Sequence, residues 1–391
     1  MFPSSILRNA LNRAPNAATN KVAQLSRPDL KGPLTGVFCV NKPQGILSTA
    51  IVDKVQHTCR SNLQHPYVRS VLSKSTTKRS SKGFVKIGHG GTLDPLARGV
   101  VVIGLGDGCK VLHSLTSSSK IYIAEGRLGF ATSTLDSTGS LVATGPTDHI
   151  TQDKLLEALG NFRGEIAQQP PLYSALMMDG KRLYDYARKG EALPRDIPTR
   201  KVMIYNLQLL SYDGKELPGY ETALATKYGF QTMMSESQKT LYQQRISSDR
   251  MEPDSSSSTT ATSQNDDDKR RSSRKKRLSD PSEQADFVPI PAQGGIYFHF
   301  QTHCSSGTYI RTLIEDIAKS LGTVGHMSDL LRIEQNGFAL DGPATLEFKE
   351  CRNLESINQA VRQGNAILKK QWLQEDSLVT EPSPSPSSSK S

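Results

Sequence analysis

A single carboxylate within a glycine-rich segment is the arrangement in this sequence best suited to chemistry. Asp94 lies in segment 88–99, five residues after His89 and directly before Pro95. Pro95 disfavours helical backbone angles at Asp94, and the glycines of the segment let another chain approach closely. A carboxylate on such a loop can act as a nucleophile or as a general base. A structural role, in which Asp94 only caps a backbone turn, fits the pattern equally well.

A second pattern of interest lies nearer the carboxyl end. Segment 305–311 follows a predicted strand at 296–303 and begins a helix that is predicted to end near Leu321. Arg311 falls in the first turn, off the buried stripe, where a cation gains nothing from the helix dipole. This placement predicts an anion outside the helix as its partner. A pair with Glu315, four residues on, is the alternative.

Hydrophobic periodicity predicts the strands and helices that hold these residues. Tyr122 alternates with Ile121 and Ile123 in a predicted strand at 120–128, so its side chain is expected to face outward, away from the two isoleucines. Further strands are predicted at 37–40, 100–106 and 201–210 and from 330 onward, and helices at 48–58, 108–118, 151–162 and 183–189.

Composition limits the class of protein. The net charge of +10 favours a polyanionic partner such as nucleic acid, although tails and insertions could carry that excess. No stretch approaches the roughly 18 apolar residues of a membrane span, so a soluble protein is expected. The five cysteines show no CxxC spacing, which argues against a disulfide framework or a zinc site. Neither a metal nor a cofactor is expected.

Three polar segments are predicted to lie outside the folded core. Residues 1–28 contain no acid and have the composition of a mitochondrial transit peptide or of a basic tail. Insertion 59–86 is basic and free of acids, which suits either a grip on a phosphate backbone or a solvated loop. Insertion 213–293 is predicted to be disordered. Its basic run 269–277 is either a nuclear localisation signal or a charged flexible stretch.

Four blocks of the sequence, in this order, resemble the TruB family of tRNA pseudouridine synthases. They are 41–45, 88–99, 170–176 with 180–188, and 307–312. The glycine-rich form of the second block and the long insertions are most similar to the fungal stand-alone branch, which modifies uridine 55 in the T-loop of tRNA.

The resemblance implies a fold and a set of site residues. The expected fold is an α/β (α+β) catalytic domain with a mixed, largely antiparallel sheet, flanking helices and a central RNA cleft. Asp94 is implied as the catalytic nucleophile or base, Arg311 as its partner, and Tyr122 as the aromatic residue that stacks on the target base. The implied substrate-binding residues are His89, Tyr309, Lys42, Leu331 and Asp136.

The expected domain organisation follows the same resemblance. A basic tail, 1–32, precedes a catalytic domain, 33–348, which is followed by a helical extension, 349–374, and a disordered tail, 375–391. The PUA domain of bacterial members is expected to be missing. Segment 170–190 is expected to act as a thumb that pinches an RNA loop.

The implied partner is tRNA, bound through its T-arm by a monomer, with T-loop-like mRNA hairpins as further substrates. The expected location is the nucleus and the mitochondrion, with the cytoplasm as an alternative. A guide-RNA-dependent enzyme, a non-catalytic RNA-folding protein on the same scaffold and a generic basic binding module are the rival interpretations.

Overall fold

A computed structural model of the chain describes residues 27–74, 80–217 and 287–379, which are organised around one large β-sheet. The strands are β1 (Gly36–Lys42), β2 (Ile87–His89), β3 (Arg98–Leu105), β4 (Lys120–Leu128), β5 (Phe130–Thr132), β6 (Leu141–Thr144), β7 (Gly164–Gln168), β8 (Met177–Met178), β9 (Lys181–Arg182), β10 (Arg200–Tyr212), β11 (Lys215–Glu216), β12 (Ile296–Cys304), β13 (Gly325–Gln335), β14 (Phe338–Ala339) and β15 (Thr345–Glu347). The helices are α1 (Ser48–Ser61), α2 (Pro66–Ser73), α3 (Leu112–Thr116), α4 (Gln152–Asn161), α5 (Leu183–Arg188), α6 (Ile310–Ser320) and α7 (Leu354–Val379).

The large sheet is mixed and mostly antiparallel. Its order across the described strands is β11-β10-β12-β4-β13-β3-β1-β15, with β2 and β14 paired to β3 and β13 and with β7 paired to β10. Only the pairs β1–β15 and β3–β13 are parallel among the described strands. This arrangement confirms the predicted fold class. It also places β4, β13 and β3 side by side in the middle, so that residues distant in sequence can meet there.

Both faces of the sheet are covered, as the alternation of side chains along the strands shows. On β1 and β3, Phe38 and Val101 belong to the larger core, which helices α1, α2, α4 and α6 cover. Their neighbours Val37 and Val100 belong to a second cluster, which is completed by α3 and the carboxyl-terminal part of α7. The strands in the centre therefore carry buried side chains on both sides.

Local signals explain where the helices that flank the site begin. Thr151 is the N-cap of α4, and its hydroxyl accepts a hydrogen bond from the Lys154 amide at 3.4 Å. In α6, Ile310, Leu313 and Ile317 recur at helical spacing and are all buried. The Tyr309 side chain makes no capping hydrogen bond at the start of α6, so other parts of the chain must satisfy this helix end.

Several sequence predictions need correction. Asn41 and Lys42, predicted to lie in a turn, are the last two residues of β1. Insertion 59–86 contains helix α2, whose Val68 and Val71 are buried in the core, so much of it is folded. Helix α7 continues to Val379, beyond the predicted start of the tail at 375. In this last part of the helix, Arg27 pairs with Asp376 at 2.7 Å.

Some predictions concern residues outside the described ranges. They are most of the transit-like segment 1–28, residues 75–79 of the basic insertion, residues 218–286 with the basic run 269–277, and residues 380–391. Among the helices that the structure describes, none combines the length and the apolar composition needed to cross a membrane.

Helix α7 is held against β1 by the side chain of Asn365. Its Oδ1 accepts from the Val37 amide at 3.2 Å, and its Nδ2 donates to the carbonyl oxygens of Leu30 and Thr35 at 3.1 and 2.9 Å. All three bonds are buried, so removing the side chain would leave three backbone groups without these partners.

We therefore expect Asn365→Ala to lower the free energy of unfolding by about 2–4 kcal/mol, because unsatisfied buried polar groups are costly. Urea denaturation would measure the change. Gln363→Ala, at an exposed position two residues earlier on the same helix, serves as control. Equal stability of the two variants would contradict this role of Asn365.

Candidate active site

The loop that carries Asp94 connects β2 to β3 and is fixed at several points. Leu93 and Leu96 are buried in the larger core. The Leu93 amide donates to Ser48 Oγ at 2.9 Å, at the start of α1, and the Gly45 amide donates to the Pro95 carbonyl at 2.8 Å. Between these anchors the Asp94 side chain keeps about a third of its surface exposed (34%). The loop thus presents one carboxylate from a rigid support.

Arg311 joins Asp94 to two other segments of the chain. Its Nε lies 3.0 Å from Asp94 Oδ2, while Nη1 donates to the Thr134 carbonyl at 2.8 Å and Nη2 to the Tyr173 carbonyl at 2.9 Å. The side chain is only 4% exposed. The predicted anion outside the helix is therefore Asp94. The alternative prediction, a pair of Arg311 with Glu315, is wrong, because Glu315 pairs with Lys319 at 2.8 Å.

The charges around Asp94 act on its pKa in opposite directions. Desolvation raises the pKa of the carboxyl, the Arg311 guanidinium lowers it, the Asp136 carboxylate raises it, and Lys42 lowers it. The two cations thus favour the ionised form against the effect of burial. Asp94 and Arg311 come from elements more than 200 residues apart, and the centre of the sheet brings them together.

Lys42 is a fully buried cationic side chain beneath this loop. Its Nζ donates to the carbonyl oxygens of Pro43, Ile46 and Pro95 at 3.1, 2.8 and 3.3 Å. Burial lowers the pKa of Lys42 to about 7, against the opposing effect of Asp94. Because every proton of the ammonium has a carbonyl acceptor, Lys42 ties the end of β1 to the Asp94 loop. Its exposed fraction is zero, so the described structure leaves it no surface for a ligand.

Tyr122 lies on β4, on the face opposite Ile123, as the alternation predicts, but it does not face outward. It is buried in the larger core. The sequence alternation predicts on which face of β4 Tyr122 lies, but it does not show that helices cover this face. The hydroxyl interacts with Arg332, which lies directly opposite on β13. Burial raises the pKa of Tyr122, and the nearby Asp94 carboxylate adds to the shift.

His89 and Asp136 border the same region. The His89 side chain is half-buried at the end of β2, and burial lowers the pKa of its imidazole. Asp136 is buried in the turn after β5, where its Oδ1 accepts from the hydroxyls of Thr134 and Thr138 at 2.7 and 2.5 Å. Its Oδ2 lies 3.9 Å from Arg311 Nη1. Asp136 thus shapes the turn whose Thr134 carbonyl receives the Arg311 guanidinium.

Tyr309, directly before α6, is held by Gln168 through its backbone. The Gln168 side-chain amide accepts from the Tyr309 N–H at 2.7 Å and donates to the Tyr309 carbonyl at 3.0 Å. Gln168 is almost completely buried, at 1% exposure. The guanidinium of Arg200 lies over the Tyr309 ring, 4.7 Å from its centroid. These contacts fix the start of the helix that carries Arg311.

Leu331 lies on the sheet face opposite Tyr122, where it lines a pocket together with Lys42. It packs with Ile123 and Leu210 in a cluster on that face. Leu330, its neighbour in the sequence, belongs to the larger core with Tyr122. The strand alternation explains the difference, because adjacent residues of β13 point to opposite faces.

The sequence analysis missed two residues that support the site, Gln168 and Arg332. Arg332 is 1% exposed, and its Nε donates to the Val100 carbonyl at 2.6 Å. A charged residue within the apolar run 330–333 is a signal that could have marked it. Gln168 gives no comparable signal. Among the described residues, no cluster of histidine, cysteine, aspartate or glutamate is arranged to hold a metal ion.

The predicted thumb segment is a small unit beside the site. A hairpin of β8 and β9 leads into α5, and Met178, Leu183 and Tyr186 form its own buried cluster. The hydrogen bond from Arg311 to the Tyr173 carbonyl joins this segment to the Asp94 pair. Leu172 and Met177 are large apolar side chains that remain exposed on it.

Comparison with known proteins agrees with the resemblance seen in the four sequence blocks. The family profile described as "TruB family pseudouridylate synthase (N terminal domain)" matches residues 78–234. Two curated fungal proteins, each named tRNA pseudouridine synthase 4, are similar over most of their length. The one from Saccharomyces cerevisiae is 33% identical over 79% of this chain and 78% of its own. The one from Schizosaccharomyces pombe is 34% identical over 82% and 83%.

A third relative matches a shorter part. Pseudouridylate synthase TRUB1 of Homo sapiens is 42% identical over 199 residues, which are 50% of this chain and 55% of that protein. The two fungal alignments cover more than two thirds of each relative at over 30% identity, which confirms the resemblance. On the sequence matches and the mixed sheet together, the chain belongs to the TruB family of pseudouridylate synthases.

Proposed function

We propose that the chain is a tRNA pseudouridine synthase that isomerises uridine 55 of the T-loop. The observation that carries this proposal is the ion pair of Asp94 and Arg311, in which a buried guanidinium holds a partly exposed carboxylate beside Tyr122. The names of the two fungal relatives support tRNA as the substrate. The net charge of +10 is compatible with a polyanionic ligand.

The reaction rearranges one nucleotide and needs no second reactant. The glycosidic bond from C1′ to N1 of the uracil breaks and a bond from C1′ to C5 forms, while C5 loses a proton and N1 gains one. Asp94 acts as the nucleophile or the base, and both roles require the ionised carboxylate. Arg311 and Lys42 oppose the effect of burial on the pKa of Asp94 and so favour that form.

The target base must leave its stack before Asp94 can reach it. Unstacking is easiest in a single-stranded RNA loop, which favours a T-loop substrate. In our proposal the half-buried ring of Tyr309 supplies aromatic surface for the extruded base, and the target base reaches Tyr122 through the small part of its ring that stays exposed. His89 contacts the nucleotide as a neutral imidazole. Lys42 and Asp136 hold the Asp94 loop and the Arg311 turn in place.

The direct test maps pseudouridine on an unmodified tRNA transcript after incubation with the purified chain. One new pseudouridine, at position 55 of the T-loop, is the expected result. Absence of product with a tRNA that binds tightly would favour the non-catalytic RNA-folding protein. Product that appears only after addition of a guide RNA would favour the guide-dependent enzyme.

The Gln168 side chain gives a sharper test of how the site is built. Gln168→Leu removes both hydrogen bonds to Tyr309 and lets the start of α6 shift. We expect kcat to fall about 10–100-fold, since small misplacements of a reacting group cost that much, with little change in KM. Gln168→Glu keeps the hydrogen-bond acceptor but loses the donor. Its kcat should therefore lie between those of Gln168→Leu and of the unaltered chain.

Gln169→Leu is the matched control, because within the described residues that side chain makes a single, exposed hydrogen bond, at 2.9 Å to the Ile197 carbonyl. Steady-state kinetics on the same transcript would compare the three variants. A fall in kcat for Gln169→Leu as large as that for Gln168→Leu would contradict this positioning role.

We further propose that T-loop-like mRNA hairpins are substrates, that the enzyme acts as a monomer, and that it serves both nucleus and mitochondrion. The basic, acid-free segment 1–28 and the run 269–277 motivate the two locations. A reporter fused to residues 1–30 should enter mitochondria. A reporter that stayed diffuse in the cell would contradict the proposed mitochondrial location.

A further inference from the structure

One strongly basic surface of the molecule has no part in the site described above. It is formed by the end of α1, helix α2 and the segment that leads into β2. We call it the α1–α2 basic surface, and its exposed cationic residues are Arg60, Arg69, Lys74, Lys82 and Lys86. No carboxylate occurs in the sequence between Asp53 and Asp94, so this stretch supplies no charge to neutralise them.

The basic surface is part of the folded molecule. Val68, Val71 and Val85 are buried in the core beneath it. The Lys86 carbonyl accepts from the Gly106 amide at 2.8 Å, and Lys74 Nζ donates to the Lys31 carbonyl at 2.6 Å. The cations are thus presented from a fixed scaffold, which lowers the entropic cost of binding an extended ligand.

Acidic residues from neighbouring elements already have partners of their own. Asp107 pairs with Lys110 at 2.7 Å, and Glu355 accepts from the Tyr67 hydroxyl at 3.1 Å. Asp29 accepts from the Lys31 amide at 3.0 Å. Within the described residues, no ion pair engages Arg69, Lys82 or Lys86. The surface therefore keeps a net positive charge that an external anion can neutralise.

The position of the surface relative to Asp94 indicates which anion it suits. Lys86 lies three residues before His89 along an extended segment, which corresponds to about 10 Å. Arg60 lies twelve residues after Ser48 on α1, about 18 Å along the helix, and Ser48 bonds to the Asp94 loop. At one phosphate per roughly 3.4 Å of strand, the roughly 8 Å between these two distances corresponds to about two phosphates.

We propose that the α1–α2 basic surface binds the phosphate backbone of tRNA outside the T-arm, while the T-loop occupies the site at Asp94. Because Lys86 lies about 10 Å along the chain from His89, the surface continues away from the residues that we assign to the target nucleotide. This inference rests on the proposed function, because it takes tRNA as the substrate.

The test compares two RNAs, a full-length tRNA transcript and an isolated T-arm hairpin with the same target uridine. The variant Arg69→Gln, Lys82→Gln, Lys86→Gln removes three charges from the surface. The control Lys215→Gln, Lys369→Gln, Lys370→Gln removes three exposed charges elsewhere and has the same net charge. Equilibrium binding is measured over a salt series. For this measurement the surface variant and the control variant also carry Asp94→Asn, so that neither protein converts the RNA. Product formation is measured with the same two variants without Asp94→Asn.

For full-length tRNA, the surface variant should bind at least about 10-fold more weakly than the control, and the slope of log affinity against log salt should fall by about 2–3, since each lost phosphate contact contributes about 0.7–0.9. The T-arm hairpin should be bound and converted equally well by both proteins.

Two outcomes would overturn the proposal. One is the same affinity and salt slope for full-length tRNA in variant and control. The other is an equal loss on the hairpin, which would place the effect at the T-arm. Failure of the proposed function would give a different result. The unaltered chain would then form pseudouridine neither in the full-length tRNA nor in the T-arm hairpin.

Discussion

Asp94→Asn is expected to bind tRNA with nearly unchanged affinity and to form no measurable pseudouridine. The amide has almost the same shape as the carboxylate but carries no charge, and it is neither an effective nucleophile nor a base at neutral pH. We expect kcat to fall by about 10⁴-fold or more, the scale seen when a group central to the chemistry is removed. Release of tritium from C5-labelled uridine in the transcript would measure the rate.

The fold should survive this substitution. Leu93, Leu96 and the hydrogen bonds to Ser48 and Gly45 hold the loop without the Asp94 side chain. Asp329→Asn is the matched control, since its carboxylate is also partly exposed and also pairs with an arginine, Arg98, at 2.9 Å. The control should keep normal turnover.

Normal turnover by Asp94→Asn would show that Asp94 is a structural residue, the alternative that the sequence left open. Loss of RNA binding together with turnover would instead show that the carboxylate shapes the binding surface. Binding and turnover must therefore be measured on the same preparation.

The predictions that succeeded from sequence were those that depend on local pattern. The strand Lys120–Leu128 was predicted with its observed bounds from the alternation of Tyr122 with Ile121 and Ile123, and the start of α4 was predicted near Thr151, which is its N-cap. The first turn of α6 was also placed correctly. Arg311 was expected to need an anion from outside its helix, and Asp94 is that anion.

What the sequence could not show depends on contacts between distant segments. Whether Tyr122 faces solvent depends on which helices cover β4, and no local pattern contains that information. Leu331 was assigned to the site by resemblance, and the alternation along β13 places it on the face opposite Tyr122, beside a pocket that Lys42 also lines. Gln168 bonds to Tyr309 across 141 residues, so its role appears only when the two segments are seen side by side.

Arg311 gives the second large expected effect. Its guanidinium contacts the Asp94 loop, the turn at Thr134 and the segment at Tyr173 together. Arg311→Met removes all three contacts and leaves Asp94 and Asp136 as neighbouring carboxylates without their shared cation. Removing one partner of a fully buried ion pair costs about 3–5 kcal/mol. Asp94 is partly exposed, so the cost here should be smaller, and unfolding must be followed alongside activity.

Arg311→Lys keeps the positive charge and separates the two effects. A lysine has a single ammonium group and cannot reach three acceptors in the fixed directions of a guanidinium. We expect Arg311→Lys to fold and to lose about 10²–10³-fold in kcat, because the carboxylate is no longer held in one orientation. Arg98→Lys, at the partly exposed pair of Arg98 and Asp329, is the control and should keep most of the activity.

The pH dependence of the rate identifies the electrostatic part of the role of Arg311. Burial raises the pKa of Asp94 and Arg311 lowers it, and only the ionised carboxylate is active. The rate should therefore fall as the pH drops through the pKa of Asp94. Weakening the Arg311 pair raises that pKa, so the acid limb of kcat/KM against pH should move to higher pH in Arg311→Lys, and further in Arg311→Met if that variant folds. A loss of activity that is the same at every pH would mean that Arg311 acts on the Asp94 loop through geometry alone.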